Sequence, residues 1–136
     1  MENGKNIGIV GSRSFNDRVA LDEVLIKMTD LIDGVPTTIV SGGASGADTL
    51  ASDWADDNGV EKLIFEPRYS DFPRKTRRWE APKARNTTIV ENSDVLLAFW
   101  DMESTGTKDS IDKAIARGVD TYIYDTDKCV LTKYNG

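Results

Sequence analysis

Histidine is absent from the 136-residue chain, and cysteine occurs once, as Cys129. Without an imidazole, no Ser-His-Asp or Cys-His relay can be assembled, and a lone thiol allows neither a thiolate–imidazole zinc centre nor an internal disulfide. Carboxylates, lysines, tyrosines and hydroxyls are the chemical actors left. Long apolar runs are missing too. None approaches the about 20 residues that a membrane span needs, and the opening MENGKN lacks the apolar stretch of a secretory leader. With a single cysteine suited to a reducing compartment, the expectation is a cytoplasmic protein with no membrane partner. Positive charge is also in deficit: the net charge is −6, a global field that disfavours nucleic acid.

The charge that is present is unevenly placed. Between Arg68 and Arg85 stand Arg68, Arg74, Lys75, Arg77, Arg78, Lys83 and Arg85 against Asp71 and Glu80, a local +5 on a remainder of −11. A basic segment on an acidic body reads either as a solvated loop or as a lid over a local anion site.

Hydrophobic periodicity predicts alternating strands and helices. Strands are expected at Lys5–Val10, Thr37–Ser41, Glu61–Phe65, Asp94–Trp100 and Asp120–Tyr124, with a possible sixth at Val130–Tyr134. Helices are expected at Asp17–Asp33, Ala47–Asn58, Pro82 to about Asn92, and Thr107–Arg117. Asp17 can cap the first helix, Gly34 and Pro36 stop it, and Pro82 suits the first turn of the third. The run DVLLAFW is apolar throughout, as in a strand covered on both faces. Such alternation makes an α/β fold, a Rossmann-like doubly wound sheet of five or six mainly parallel strands in order 3-2-1-4-5, flanked by helices. The length fits one domain over 1–136. A ligand crevice belongs at the carboxyl ends of the strands, between strands one and four.

Three loops fall on that edge, and all are rich in small or hydroxyl residues: Gly11-Ser12-Arg13-Ser14, Ser41 to Asp48 (SGGASGAD) and Asp101 to Thr107 (DMESTGT). The loops of the opposite edge look like ordinary connections. Gly42, Gly43 and Gly46 let backbone approach a ligand closely, and amides at a helix N-terminus favour an anion. Ser12, Ser41, Ser45 and Thr107 add hydroxyl donors, and Arg13 offers a bidentate fork. Neither a P-loop nor a GxGxxG occurs. Asp48 either stabilises the start of its helix or bonds a ligand hydroxyl such as a ribose. Trp54 reads as core, whereas Trp79 and Trp100 are stacking candidates.

The ordered set IVGSRSF, VSGGASGAD, KARNTTIV, DVLLAFWD and STGTKDSIDKA resembles the SLOG superfamily, which includes LOG phosphoribohydrolases and DprA-type proteins, and above all its small YspA-like branch. The resemblance covers nearly the whole chain. It implies nucleotide or nucleotide-derived ligands and a site carrying Gly11, Ser12, Arg13, Gly42, Gly43, Gly46, Arg85, Gly106 and Thr107, with Asn86 beside Arg85. It also implies a homo-oligomer, dimer or tetramer. LOG enzymes carry a PGGxGTxxE signature; here Met102-Glu103-Ser104 replaces the PGG, and the catalytic Glu falls on Ser110, which cannot act as a carboxylate.

Three functions follow as expectations. The first is a binding module that holds an ADP-ribose-like or cyclic-nucleotide signal without turnover, as sensor, carrier or sponge; no other cofactor is required. The second is a nucleoside 5′-monophosphate N-glycosidase or other nucleotide hydrolase using Asp48, Asp101 or Glu103, with a divalent cation as a conceivable helper but no protein metal site. The third is single-stranded nucleic-acid binding through Tyr69, Arg77, Arg78 and Trp79.

Overall fold

A computed structural model describes residues 5–34, 36–68 and 80–134. Tyr69, Arg77, Arg78, Trp79 and most of the expected lid lie outside these residues. The element order is β1 (Asn6–Gly11), α1 (Arg18–Leu31), β2 (Thr38–Ser41), α2 (Ala47–Asn58), β3 (Glu61–Ile64), α3 (Glu80–Glu91), β4 (Val95–Trp100), α4 (Thr105–Ala116), β5 (Asp120–Asp125) and β6 (Val130–Tyr134). The sheet runs β3-β2-β1-β4-β5-β6. Five strands are parallel, and β6 returns antiparallel along β5, pairing Tyr134 with Thr121 and Val130 with Asp125.

Period-two alternation sends successive side chains to opposite faces. On one face Ile7, Ile9, Ile39, Leu97 and Phe99 pack against Leu21, Leu25 and Met28 of α1 and Ala51 and Trp54 of α2. On the other, Val10, Val40, Leu96 and Ala98 meet Ile89 and Val90 of α3 and Ile111 and Ala114 of α4. Both faces of β4 are buried, so its apolar run needs no polar alternation. Each fully buried large side chain contributes roughly 1.5–3 kcal/mol of transfer free energy, which fixes the register of the central strands. β3 is different: all four of its residues are exposed, as befits a short edge strand.

Two helices begin earlier than periodicity predicts. α3 starts at Glu80, which leaves Pro82 in its first turn, where a missing N–H costs no helical bond. α4 starts at Thr105 after Ser104, whose extended backbone (φ −58°, ψ 120°) takes the cap position. Gly106 and Thr107 are therefore inside the first helical turn rather than in the loop before it.

Among the described residues no helix is long and apolar enough to cross a membrane.

Candidate functional site

β1 lies at the point where the strand order reverses, with β2 on one side and β4 on the other. α2 and α4 pack on opposite faces of the sheet and both touch β1, so their first turns flank its carboxyl end. The loop that leaves β1 is held from below. Ser12 N–H donates to Phe99 O at 3.0 Å, and Phe15 stacks on Phe99 with ring centroids 4.9 Å apart. The second loop is tied to the first: Ala47 N–H, the first amide of α2, donates to Ser12 O at 3.4 Å. Gly46 makes this approach possible. Its φ is +79°, and a Cβ there would overlap the carbonyls of Ser12 and Arg13. A Cβ on Gly11 would stand 2.7 Å from both Ala47 Cβ and Phe99 O.

These constraints leave a cleft of about 510 Å³ beyond the end of β1, within the size range of small-molecule sites. β1 and its loop supply Val10, Gly11, Ser12, Arg13 and Ser14. The second loop and α2 supply Ala44 and Asp48. α3 supplies Pro82, Arg85, Asn86 and Ile89, and α4 supplies Ser104, Thr105, Gly106, Thr107 and Ser110. A smaller cavity of about 270 Å³ adjoins it through shared Arg13, Ala44 and Arg85, and reaches Gly42, Gly43, Ser45, Glu66 and Pro67.

Arg85 is anchored across the fold. Its Nη1 donates to Gly42 O at 2.6 Å and its Nε to Asn86 Oδ1 at 3.1 Å. A Cβ on Gly42 would collide with this guanidinium, so glycine at 42 makes room for the arginine. Asn86 faces both ways: its Nδ2 donates to Gly106 O at 3.3 Å and to Asp109 Oδ2 at 3.1 Å. Lys113 Nζ completes the chain, 2.7 Å from Asp109 Oδ2 and 2.7 Å from Lys83 O. α3 and α4 are thereby linked, and the N-terminal turn of α4 opens on the cleft with the positive end of its dipole.

Asp48 is 7% exposed, yet it borders the cleft. Its Oδ2 accepts from Ala44 N–H at 3.2 Å. Burial pushes its pKa up to about 6, opposed by the Ala44 amide, the Arg85 guanidinium, the Gly42 amide and the Arg13 guanidinium.

Some expected residues have other duties. Ser41 shares the face of Ile39, is fully buried, and its Oγ has no hydrogen-bond partner; it does not border the cleft. Gly46 serves loop packing. Trp100 turns its indole N–H onto Ser104 O at 3.1 Å and packs against the α3–α4 core, so it braces the β4–α4 loop instead of offering a stacking face in the cleft. Asp101 organises the same loop: Oδ1 accepts from Glu103 N–H at 2.9 Å and Ser104 N–H at 2.7 Å, and Oδ2 from Ser104 Oγ at 2.9 Å. These donors hold its carboxyl below the usual range, the Ser104 amide most of all. Glu103 is exposed and does not border the cleft either. Of the three carboxylates considered for catalysis, only Asp48 reaches the cleft. Among the described residues no group of three or more Cys, Asp or Glu gathers where a metal ion could be held.

Conversely, the cleft recruits residues with no motif signal. Val10, Pro82 and Ile89 form an apolar strip that in sequence looks like core or helix start. Ser110, the position where the LOG signature has its glutamate, lines the cleft as well, one helical turn on from Thr107.

The fold and this cleft define a Rossmann-like α/β protein with an anion-favouring crevice at the strand-order reversal. The chain belongs to the YspA, cpYpsA-related SLOG family, which matches residues 6–72. It is also similar to the Gene 61 protein of Mycobacterium phage D29, with 31% identity over 121 residues, covering 85% of this chain and 92% of the phage protein. Family membership supports a ligand related to nucleotides.

Proposed function

We propose that the protein binds a nucleotide-derived signal of the ADP-ribose or cyclic-nucleotide class in this cleft and holds it without turnover. The observation that carries the reading is the convergence of three anion-seeking features on one cavity: the first turn of α4, Arg13 and Arg85. Free helix-start amides with a guanidinium fork are a phosphate site by charge and by geometry. Holding rather than cutting is supported by Ser110, since a hydroxyl on α4 cannot supply the carboxylate that glycosidic cleavage in this superfamily relies on. The similarity to a phage protein fits the sponge form of the reading, in which binding lowers a free signal. A free-standing sensor or carrier would use the same cleft.

One observation favours a second reading, a nucleotide N-glycosidase. Asp48 borders the cleft with a pKa of about 6, within reach of proton transfer at neutral pH.

Calorimetric titration with ADP-ribose, 3′,5′-cyclic AMP and AMP tests both, with chromatography of each mixture. At least one nucleotide is expected to bind and to be recovered intact. Arg13→Ala and Gly42→Ala should each weaken binding tenfold or more while far-UV circular dichroism stays unchanged. Steady release of free base would transfer the assignment to the glycosidase. Binding unaltered in both folded variants would move the ligand away from this cleft.

A further inference from the structure

We propose that Asp109 is a positioning residue for the anion seat: through Asn86 it holds the Arg85 guanidinium and the first turn of α4 at a fixed spacing. This rests on the binding function proposed above and adds to its machinery a residue that lies outside the cleft.

The two halves of the seat belong to different helices. Arg85 stands on α3, while Thr105, Gly106 and Thr107 open α4, and all four border the cleft. An anion that bridges them binds best when their separation is set before it arrives. Asn86 spans the gap. Its Oδ1 accepts from Arg85 Nε at 3.1 Å, and its Nδ2 donates to Gly106 O at 3.3 Å and to Asp109 Oδ2 at 3.1 Å. Only 7% of Asn86 is exposed, so water is a poor substitute for these partners.

A carboxamide has two unlike ends, and its neighbours must match them. Turned over, Asn86 would set its NH2 group against the Arg85 N–H and its oxygen against the Gly106 carbonyl and the Asp109 carboxylate. Each bond would become a repulsion. Asp109 weighs most in this choice, because a hydrogen bond to an ionised group is about twice as strong as a neutral one. Asp109 is fixed in turn by Lys113 Nζ at 2.7 Å, which also donates to Lys83 O on α3 at 2.7 Å. Arg85 has a second tie, from Nη1 to Gly42 O at 2.6 Å. Bonds on two separate nitrogens fix the plane of a rigid group, and the bond on Nε depends on Asp109 through Asn86.

The placement of Asp109 sets the sign of the effect. Its side chain is 23% exposed and does not border the cleft. By charge alone, removing a carboxylate close to an anion seat tightens anion binding. By positioning, removal weakens it, since Asn86 loses the partner that selects its orientation and Arg85 loses a fixed acceptor.

Calorimetric titration of AMP, adenosine and ADP-ribose into wild type, Asp109→Leu and Asp109→Asn tests this. Asp109→Leu keeps a side chain of good helix propensity and removes the acceptor. It is expected to bind AMP about fivefold or more weakly, with adenosine changed less than about twofold. Asp109→Asn, whose amide oxygen can still accept from Asn86, should stay close to wild type. In an Arg85→Ala background Asp109→Leu should cost AMP almost nothing further, because the two residues act in series. The Arg85 Nε–H signal in nitrogen–proton NMR spectra reads the geometry without a ligand: protected from exchange in wild type and Asp109→Asn, unprotected in Asp109→Leu. Equal losses for AMP and adenosine would make Asp109 structural only and overturn the proposal. Tighter AMP binding, an undiminished effect in the Arg85→Ala background or an unchanged Arg85 signal would overturn it as well. Wild type that binds neither AMP nor ADP-ribose removes the nucleotide function and this inference with it. Binding in wild type with an unchanged AMP-to-adenosine ratio in Asp109→Leu removes this inference alone.

Discussion

Asp48 has a measurable consequence for stability. Its pKa is raised from 3.8 to about 6 in the folded protein, and burial is the main cause. Between those values the native state holds a proton that the unfolded chain has released. Stability therefore falls as pH rises through about 4 to 6, by up to about 3 kcal/mol, and this loss is absent below pH 4. Asp101 works in the opposite sense. Its carboxyl is depressed by the amides it accepts from, so its contribution is present above its unfolded pKa and disappears as pH falls through the lower folded value. Asp48→Asn should flatten the decline between pH 4 and pH 7 in urea unfolding while leaving the acid limb below pH 4 in place. Superimposable profiles for wild type and variant would show that Arg13 and Arg85 offset the burial of Asp48 completely. The two aspartates sit in loops of similar composition, SGGASGAD and DMESTGT, so sequence alone cannot tell the buried one from the loop organiser.

α4 separates what a glycine does for the fold from what it does for a ligand. A Cβ on Gly106 would meet no atom within 4 Å, unlike Gly42 or Gly46. Helix propensity alone then favours alanine there, by about 0.5–1 kcal/mol. Gly106→Ala should raise the thermal midpoint and weaken ADP-ribose binding, because the added methyl stands where an anion would approach the first turn. A stabilised variant with unchanged affinity would place the anion elsewhere. The element scale also shows how far the sequence could be read. Strands β1, β2, β4 and β5 were legible because their apolar runs are buried on both faces. The start of α4 was not, since Ser104-Thr105-Gly106 is as typical of a loop as of a capped first turn. Ser41 was readable in principle: it is two residues from Ile39 and must share its face, and that parity outweighs its place in a glycine-rich motif. Trp100 gave no such signal, because the Ser104 carbonyl that takes its N–H is a matter of loop geometry. Pro82 and Ile89 join the cleft only because the fold brings α3 over β1.

Taken whole, the molecule is acidic. Arg13 and Arg85 border the cleft, but the net charge of −6 acts at longer range on any extended polyanion. An oligonucleotide needs a continuous track of cations and stacking faces, and the residues considered for that purpose, Tyr69, Arg77, Arg78 and Trp79, lie outside the described residues. A single-stranded 20-mer is therefore expected to show no mobility shift at micromolar protein and 150 mM salt. A retarded band that ADP-ribose competes away would put nucleic acid in this same cleft.

The antiparallel course of β6 has a practical side. β1 begins at Asn6 on the amino-terminal edge of the parallel strands, and β6, by running backwards, brings Tyr134 beside Thr121 on that same edge. Both ends of the described chain thus lie away from the cleft. A tag, a fluorophore or a surface linker attached beside Asn6 or Tyr134 would start from the edge opposite the cleft and leave its opening clear of the attachment point.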